Sequence, residues 1–191
     1  MKIIEGGVTA AKGFKAAAAA AEIKYKGRTD MAMVYSEVPC VAAGTFTTNV
    51  VKAAPVKWDQ DIVYNHPSAQ VVICNSGIAN ACTGAEGYGY CKETAAAAAE
   101  VLNVAADSVL VASTGVIGMQ VPIDRIKNGV KMMAPKLDGW YASGTPETEK
   151  SDLLCGGELC GGFSKLGFTQ CDGSSAVCIK RLYSKSDRCL V

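Results

Sequence analysis

Val71-Val72-Ile73-Cys74 is an unbroken apolar run, the pattern of a strand buried on both faces. Ser108-Val109-Leu110-Val111-Ala112 repeats it. Between the two, Thr83-Gly84-Ala85-Glu86 has the spacing of a capping box, and the stretch from Glu86 to Leu102, with Ala95 to Ala99 at its middle, predicts a helix. A second helix is predicted where Pro122 takes a first-turn position and Ile123, Ile126, Val130 and Met133 follow at helical spacing. Upstream, Met31-Ala32-Met33-Val34-Tyr35 and Val41-Ala42-Ala43-Gly44-Thr45-Phe46-Thr47 predict two strands, the first closed by Pro39. The alanine run Ala16 to Ala21 has helix propensity but falls short of the roughly 12 to 15 residues that an isolated helix needs, so the pattern leaves it unassigned. Strands and helices follow one another in the order of a layered, mixed α/β domain.

Each buried strand runs into a polar loop. Asn75-Ser76-Gly77-Ile78-Ala79-Asn80-Ala81-Cys82-Thr83-Gly84 leads from the first to a helix start, where uncapped N–H groups favour a carboxylate or an oxyanion. A plain polar turn with a capping threonine is the alternative. Ser113-Thr114-Gly115-Val116-Ile117-Gly118 follows the second strand. A threonine hydroxyl beside a glycine N–H can give two donors to one developing negative oxygen, each worth roughly 3 kcal/mol in an oxyanion hole. The alternative is again a tight turn, with Gly115 and Gly118 serving backbone geometry alone. Two such loops in one small domain weaken the plain reading.

Charge and composition narrow the field. In 191 residues, 19 Lys+Arg stand against 18 Asp+Glu, so no basic field exists to hold a nucleic acid. The segment Met1 to Gly7 lacks the apolar centre of a signal peptide, and no run approaches the roughly 18 apolar residues of a membrane span, which together point to the cytoplasm. Nine cysteines, an odd number without a short secreted framework, fit reduced thiols. Familiar catalytic sets fail in turn. His66 is the single histidine and sits before Pro67 in a polar connection between two expected strands, so a surface role suits it. Cys82, close to a helix start, is an activated thiolate or, more in keeping with free cysteines, a small buried filler. Gly84, Gly87 and Gly89 have the wrong spacing for a dinucleotide fingerprint.

Four segments in order now carry a resemblance: Gly7-Val8-Thr9-Ala10-Ala11-Lys12-Gly13-Phe14-Lys15-Ala16-Ala17, Tyr35-Ser36-Glu37-Val38-Pro39, Ala43-Gly44-Thr45-Phe46-Thr47-Thr48-Asn49 and Val51-Lys52-Ala53-Ala54-Pro55-Val56. With the two polar loops they resemble the ornithine acetyltransferase family, the bifunctional glutamate N-acetyltransferases of arginine biosynthesis, over about residues 4 to 139. That stretch corresponds roughly to the family's α chain. The resemblance implies an α/β fold of helix-sheet-sheet-helix layers, N-terminal-nucleophile-like and incomplete here. It implies a precursor that cuts itself before a threonine, and a β chain whose new N-terminal threonine attacks with its own amine as base. Acetyl then passes from N-acetylornithine to glutamate without metal or cofactor, with acetyl-CoA left open as a second donor. The family's oxyanion residues correspond to Thr114 and Gly115.

The chain also departs from the family. Ala18 and Glu22 replace usual glycines, which puts a turn there in question. Past Gly139 the family's Thr-Thr-Asp substrate segment and its cleavage segment are absent, so the expectation is a domain over 1–139, lacking the nucleophile and inactive alone, and a divergent tail over 140–191. Composition shifts too. Residues 1–150 hold four cysteines and all six prolines, whereas the last 41 hold five cysteines and no proline, with no helix or strand period. Out-of-frame sequence explains that tail economically, and a genuine tail carrying zinc is the rival, although no C-x-x-C pair occurs. A non-catalytic binding or scaffold domain that keeps the α-chain fold is the remaining alternative.

Overall fold

In a computed structural model, residues 7–138, 168–169 and 175–180 are described. Six strands and three helices run in the order β1 (Phe14–Ala19), β2 (Met31–Phe46), α1 (Ala54–Asn65), β3 (Ala69–Asn75), α2 (Glu86–Leu102), β4 (Val109–Ser113), α3 (Ile123–Met133), β5 (Phe168–Thr169) and β6 (Ser175–Lys180). The first half of β2 lies between β1 and β3, both antiparallel to it, and β4 pairs with β3 in parallel. The result is a four-stranded sheet. The second half of β2, Val41 to Phe46, pairs with β6, and β5 follows β6.

The two apolar runs form β3 and β4 as their pattern predicts, with Val71, Ile73, Val109 and Leu110 at 1% exposure or less. The expected helices form α2 and α3, and α2 packs between α1 and α3. Two readings need correction, and one unassigned stretch is resolved. Pro39 does not close a strand, because β2 continues through it. The register against β3 shifts between Tyr35 and Cys40, so Pro39 sits in an irregular stretch where a missing N–H breaks no ladder bond. The Ser36 hydroxyl holds that stretch together, donating to the Val38 carbonyl at 2.7 Å and accepting from the Cys40 thiol at 3.0 Å.

The alanine run, left unassigned by its pattern, belongs to β1 as far as Ala19. Tertiary packing overrides propensity here, since small side chains let α3 come close. A Cβ at Gly129 of α3 would lie 2.3 Å from Met31 Sδ and 2.9 Å from Ala21 Cβ. The turn put in question at Glu22 is present, with Glu22 at φ 57, a left-handed conformation that glycine adopts more readily. Asp30 imposes it. Its carboxylate accepts from the N–H groups of Ala21 and Ile23, either side of Glu22, at 2.7 Å each.

The second correction concerns the chain after Val51. Residues 54–65 form α1, started by a proline at the first helical positions and burying Val56, Trp58, Asp59 and Ile62. His66 therefore ends a helix and leads into β3, and its Nδ1 lies 3.1 Å from Asp107 Oδ2. The tail cysteines and the zinc alternative lie outside the described residues, except that the backbone of Cys178 belongs to β6.

Candidate functional site

The parallel pair ends at Asn75 opposite Ser113, and the two loops continue it as a zipper. Thr114 N–H donates to Asn75 O at 3.0 Å, Val116 N–H to Gly77 O at 3.1 Å, Ala79 N–H to Val116 O at 3.0 Å and Gly118 N–H to Ala81 O at 2.9 Å. Gly115 makes the approach possible. At φ +129, a Cβ there would lie 2.3 Å from the carbonyl carbon of Gly77 and 2.5 Å from its oxygen, which leaves no room for any side chain.

The first loop uses its polar side chains internally. Asn75, Asn80 and Thr83 are 3–4% exposed. Asn75 Nδ2 donates to Ile78 O at 3.0 Å, and Asn80 Nδ2 donates to Gly87 O at 2.8 Å and to Cys91 Sγ at 3.3 Å. Ser113 links the loops, its hydroxyl accepting from Asn80 N–H at 2.9 Å and donating to Ile78 O at 3.3 Å. Thr83 is not the helix cap. Its hydroxyl donates to Asn80 Oδ1 at 2.7 Å, and Ala85 takes the cap position of α2 without a side-chain bond. Cys82 is not a buried filler either. It is exposed at φ 56, because the kink that turns Thr83 inward turns Cys82 out.

Thr114 and Gly115 differ from this. Thr114 is half-buried and Gly115 exposed. Among the described residues neither the Thr114 hydroxyl nor the Gly115 N–H makes a hydrogen bond, whereas the Thr114 N–H is committed to the zipper. Two adjacent donors without a partner among the described residues thus stand at the end of a buried parallel strand.

Beside the zipper lies a cleft of about 280 Å³ lined by Lys52, Lys57, Cys82, Thr83, Gly84 and Tyr88, among others. It meets the starts of α1 and α2, neither of which has a side-chain cap. Two ammonium groups and two helix starts give its wall a positive character. Thr114 and Gly115 are not part of its lining.

Two residues outside every sequence motif also touch this region. Trp58 Nε1–H donates to Val109 O at 2.8 Å, and Asp59 Oδ1 accepts from Val111 N–H at 2.9 Å. Burial holds the Asp59 carboxyl well above the usual carboxylate range, with the Val111 N–H pulling weakly the other way. Burial, helped by Asp59, pushes the Cys91 thiol up to about 12, so Cys91 is an inert core residue. A proline opening α1, with Val56, Asp59 and Ile62 at intervals of three, was the available signal for this helix.

Fold and site define an α/β protein that presents, where the parallel pair β3–β4 ends at the edge of the sheet, two donors without a partner among the described residues. Residues 15–153 match the family described as the ArgJ family, and the chain belongs to that family. The "Arginine biosynthesis bifunctional protein ArgJ" of Gloeobacter violaceus is 48% identical over 130 residues, 68% of this chain and 32% of that protein. The "Arginine biosynthesis bifunctional protein ArgJ, chloroplastic" of Zea mays is 43% identical over 143 residues, 74% of this chain and 30% of that protein. The chain thus spans about a third of the length of these curated relatives. Among solved structures, ornithine acetyltransferase from Mycobacterium tuberculosis, complexed with ornithine, superposes with a TM-score of 0.68 at 34% identity, covering 94% of this chain and 93% of that one. The bifunctional protein ArgJ of Bacillus halodurans gives 0.65 at 30% identity, covering 97% and 94%.

Proposed function

We propose that this chain is the oxyanion-bearing part of an acetyltransferase that moves acetyl from N-acetylornithine to glutamate. The observation that carries the reading is the pair of donors at Thr114 and Gly115, uncommitted among the described residues and held by a loop zipper in which the side chains of Asn75, Asn80, Thr83 and Ser113 are already paired. The M. tuberculosis relative, named as ornithine acetyltransferase and solved with ornithine, supports the substrate class. On this reading the N-terminal threonine of a β chain attacks the acetyl carbonyl, with its own amine taking the hydroxyl proton. The carbonyl oxygen becomes an oxyanion beside Thr114 Oγ1–H and Gly115 N–H. Collapse of the intermediate expels the ornithine amine, which takes up a proton, and leaves acetyl on the threonine. The glutamate amine then attacks that ester, and a second oxyanion passes through the same donors before the threonine is released.

The helix-sheet-sheet-helix layering of an N-terminal-nucleophile-like fold belongs to this proposal, with the β chain as the partner that completes the site. Without that chain the polypeptide has no turnover. The reaction is cytoplasmic and needs no metal, and acetyl-CoA would serve only as a second donor. Among the described residues no helix is long and apolar enough to cross a membrane.

Thr114→Ala tests the reading in the active enzyme that contains this segment. The hydroxyl acts mainly in the transition state, so kcat should fall roughly 10- to 1,000-fold with KM little changed. An unchanged kcat would return Thr114 to the status of a turn residue.

A further inference from the structure

We infer that Trp58 and Asp59 are positioning residues for the donor pair: two consecutive side chains of α1 that grip the open edge of β4 and so fix where Thr114 and Gly115 stand. The inference rests on the reading of Thr114 and Gly115 as oxyanion donors. β4 ends the strand order β4-β3-β2, and among the described residues no strand covers its outer edge. An edge strand presents unpaired backbone groups. Alternate residues of a strand aim those groups to the same side. The Thr114 N–H faces β3 through its bond to Asn75, which leaves Val109 and Val111 facing outward. The two α1 side chains meet those residues, Trp58 as donor to the Val109 carbonyl and Asp59 as acceptor from the Val111 N–H. A donor and an acceptor two strand positions apart stand in for the ladder of an absent neighbour.

Both side chains are buried, at 8% and 5% exposure, so water does not compete for the bonds. Only two residues separate Val111 from Thr114. A shift of the strand end therefore bears on the donors, and a misplacement of about 1 Å in a positioned group can lower a rate on the order of 100-fold. A carboxyl is a poor acceptor to bury for stability alone, since hydroxyl or amide oxygens accept an N–H at a smaller desolvation penalty.

The test pairs D59N, which keeps an acceptor of the same shape, with D59L, which removes it. In the full chain, amide resonances and hydrogen exchange report the backbone directly. D59L should raise exchange at Val111 at least tenfold and move the resonances of Thr114 and Gly115, while D59N leaves all three near their starting values. In the active enzyme D59L should lower kcat about 10-fold or more with KM within about twofold, and D59N should restore it. Resonances of Thr114 and Gly115 that stay in place in D59L overturn the inference, whatever the activity. Resonances that move while kcat is unchanged support the grip and count instead against the oxyanion reading. Should D59L fail to fold, W58F decides, because it removes the indole N–H donor while keeping an aromatic ring in the site: moved Thr114 and Gly115 resonances support the inference, and unmoved ones overturn it.

Discussion

The loops after β3 and β4 are similar in composition, short and rich in glycine, small residues and hydrogen-bonding side chains, yet the molecule uses them in opposite ways. In the Asn75–Gly84 loop the side chains of Asn75, Asn80 and Thr83 turn inward and bond to the backbone or to one another. In the loop from Thr114 to Gly118 the side chains and N–H groups face outward wherever the zipper does not need them. Polarity of sequence alone does not mark a binding loop. What separates the two is whether the side-chain donors of Asn75, Asn80 and Thr83, or of Thr114, already have acceptors, and the loop saturated in this sense is the frame on which the unsaturated one is held.

The sharpest way to break that relation is at the contact between them. Gly115→Ala would set a Cβ 2.3 Å from Gly77 backbone, at a positive φ, and neither chain can yield without losing the bonds of the zipper. A loss of at least about 3 kcal/mol in chemical denaturation is expected, the size associated with combined overpacking and backbone strain. Stability unchanged within about 0.5 kcal/mol, the usual range for neutral surface substitutions, would mean that the loops are not in contact.

A smaller effect should follow from emptying the frame itself. Asn80→Ala removes the bonds to Gly87 O and Cys91 Sγ and leaves the buried Thr83 hydroxyl without its acceptor, for a loss of about 2 kcal/mol by denaturant titration. The same substitution distinguishes frame from site. If the first loop only supports the second, Thr83→Val should retain much of the stability lost in Asn80→Ala, because it removes the stranded hydroxyl rather than its partner. A ligand-binding first loop would instead show its loss in affinity, with stability unaffected.

How much of this could be read along the chain depends on where the decisive contacts are. β3 and β4 are legible because nearly every position is apolar, and α2 because its propensity is high throughout. The alanine run is not, since its state is decided by antiparallel pairing of Ala16 to Ala19 with Val34 to Met31 of β2, which no local pattern displays. Pro39 misleads for a related reason, as only the register against β3 reveals that its missing N–H is not needed. Thr114 and Gly115 can be nominated from residue type, but that Thr83 is spent on Asn80 while the Thr114 hydroxyl is not can be seen only when both loops are folded. The grip of Trp58 and Asp59 on β4 spans about 50 residues and has no motif at all.

The mildest prediction concerns the one place where the saturated loop turns a side chain outward. Cys82 holds φ 56, a conformation that costs a residue with a Cβ roughly 1–2 kcal/mol relative to glycine. Glycine removes that strain but adds freedom to the unfolded chain, which offsets about 0.5–1 kcal/mol of the gain. Cys82 is exposed, so little packing is lost with the thiol. Cys82→Gly should therefore stabilise the protein by about 0.5 kcal/mol, and Cys82→Asn, which tolerates the left-handed region while keeping more of the unfolded-state restriction, by a similar amount. Thermal melts of the two variants measure the sign. A clear fall in Tm for both would show that the Cys82 side chain makes a contact across the cleft of Lys52, Lys57 and Tyr88 that outweighs its backbone strain, and the first loop would then have an outward-facing role after all.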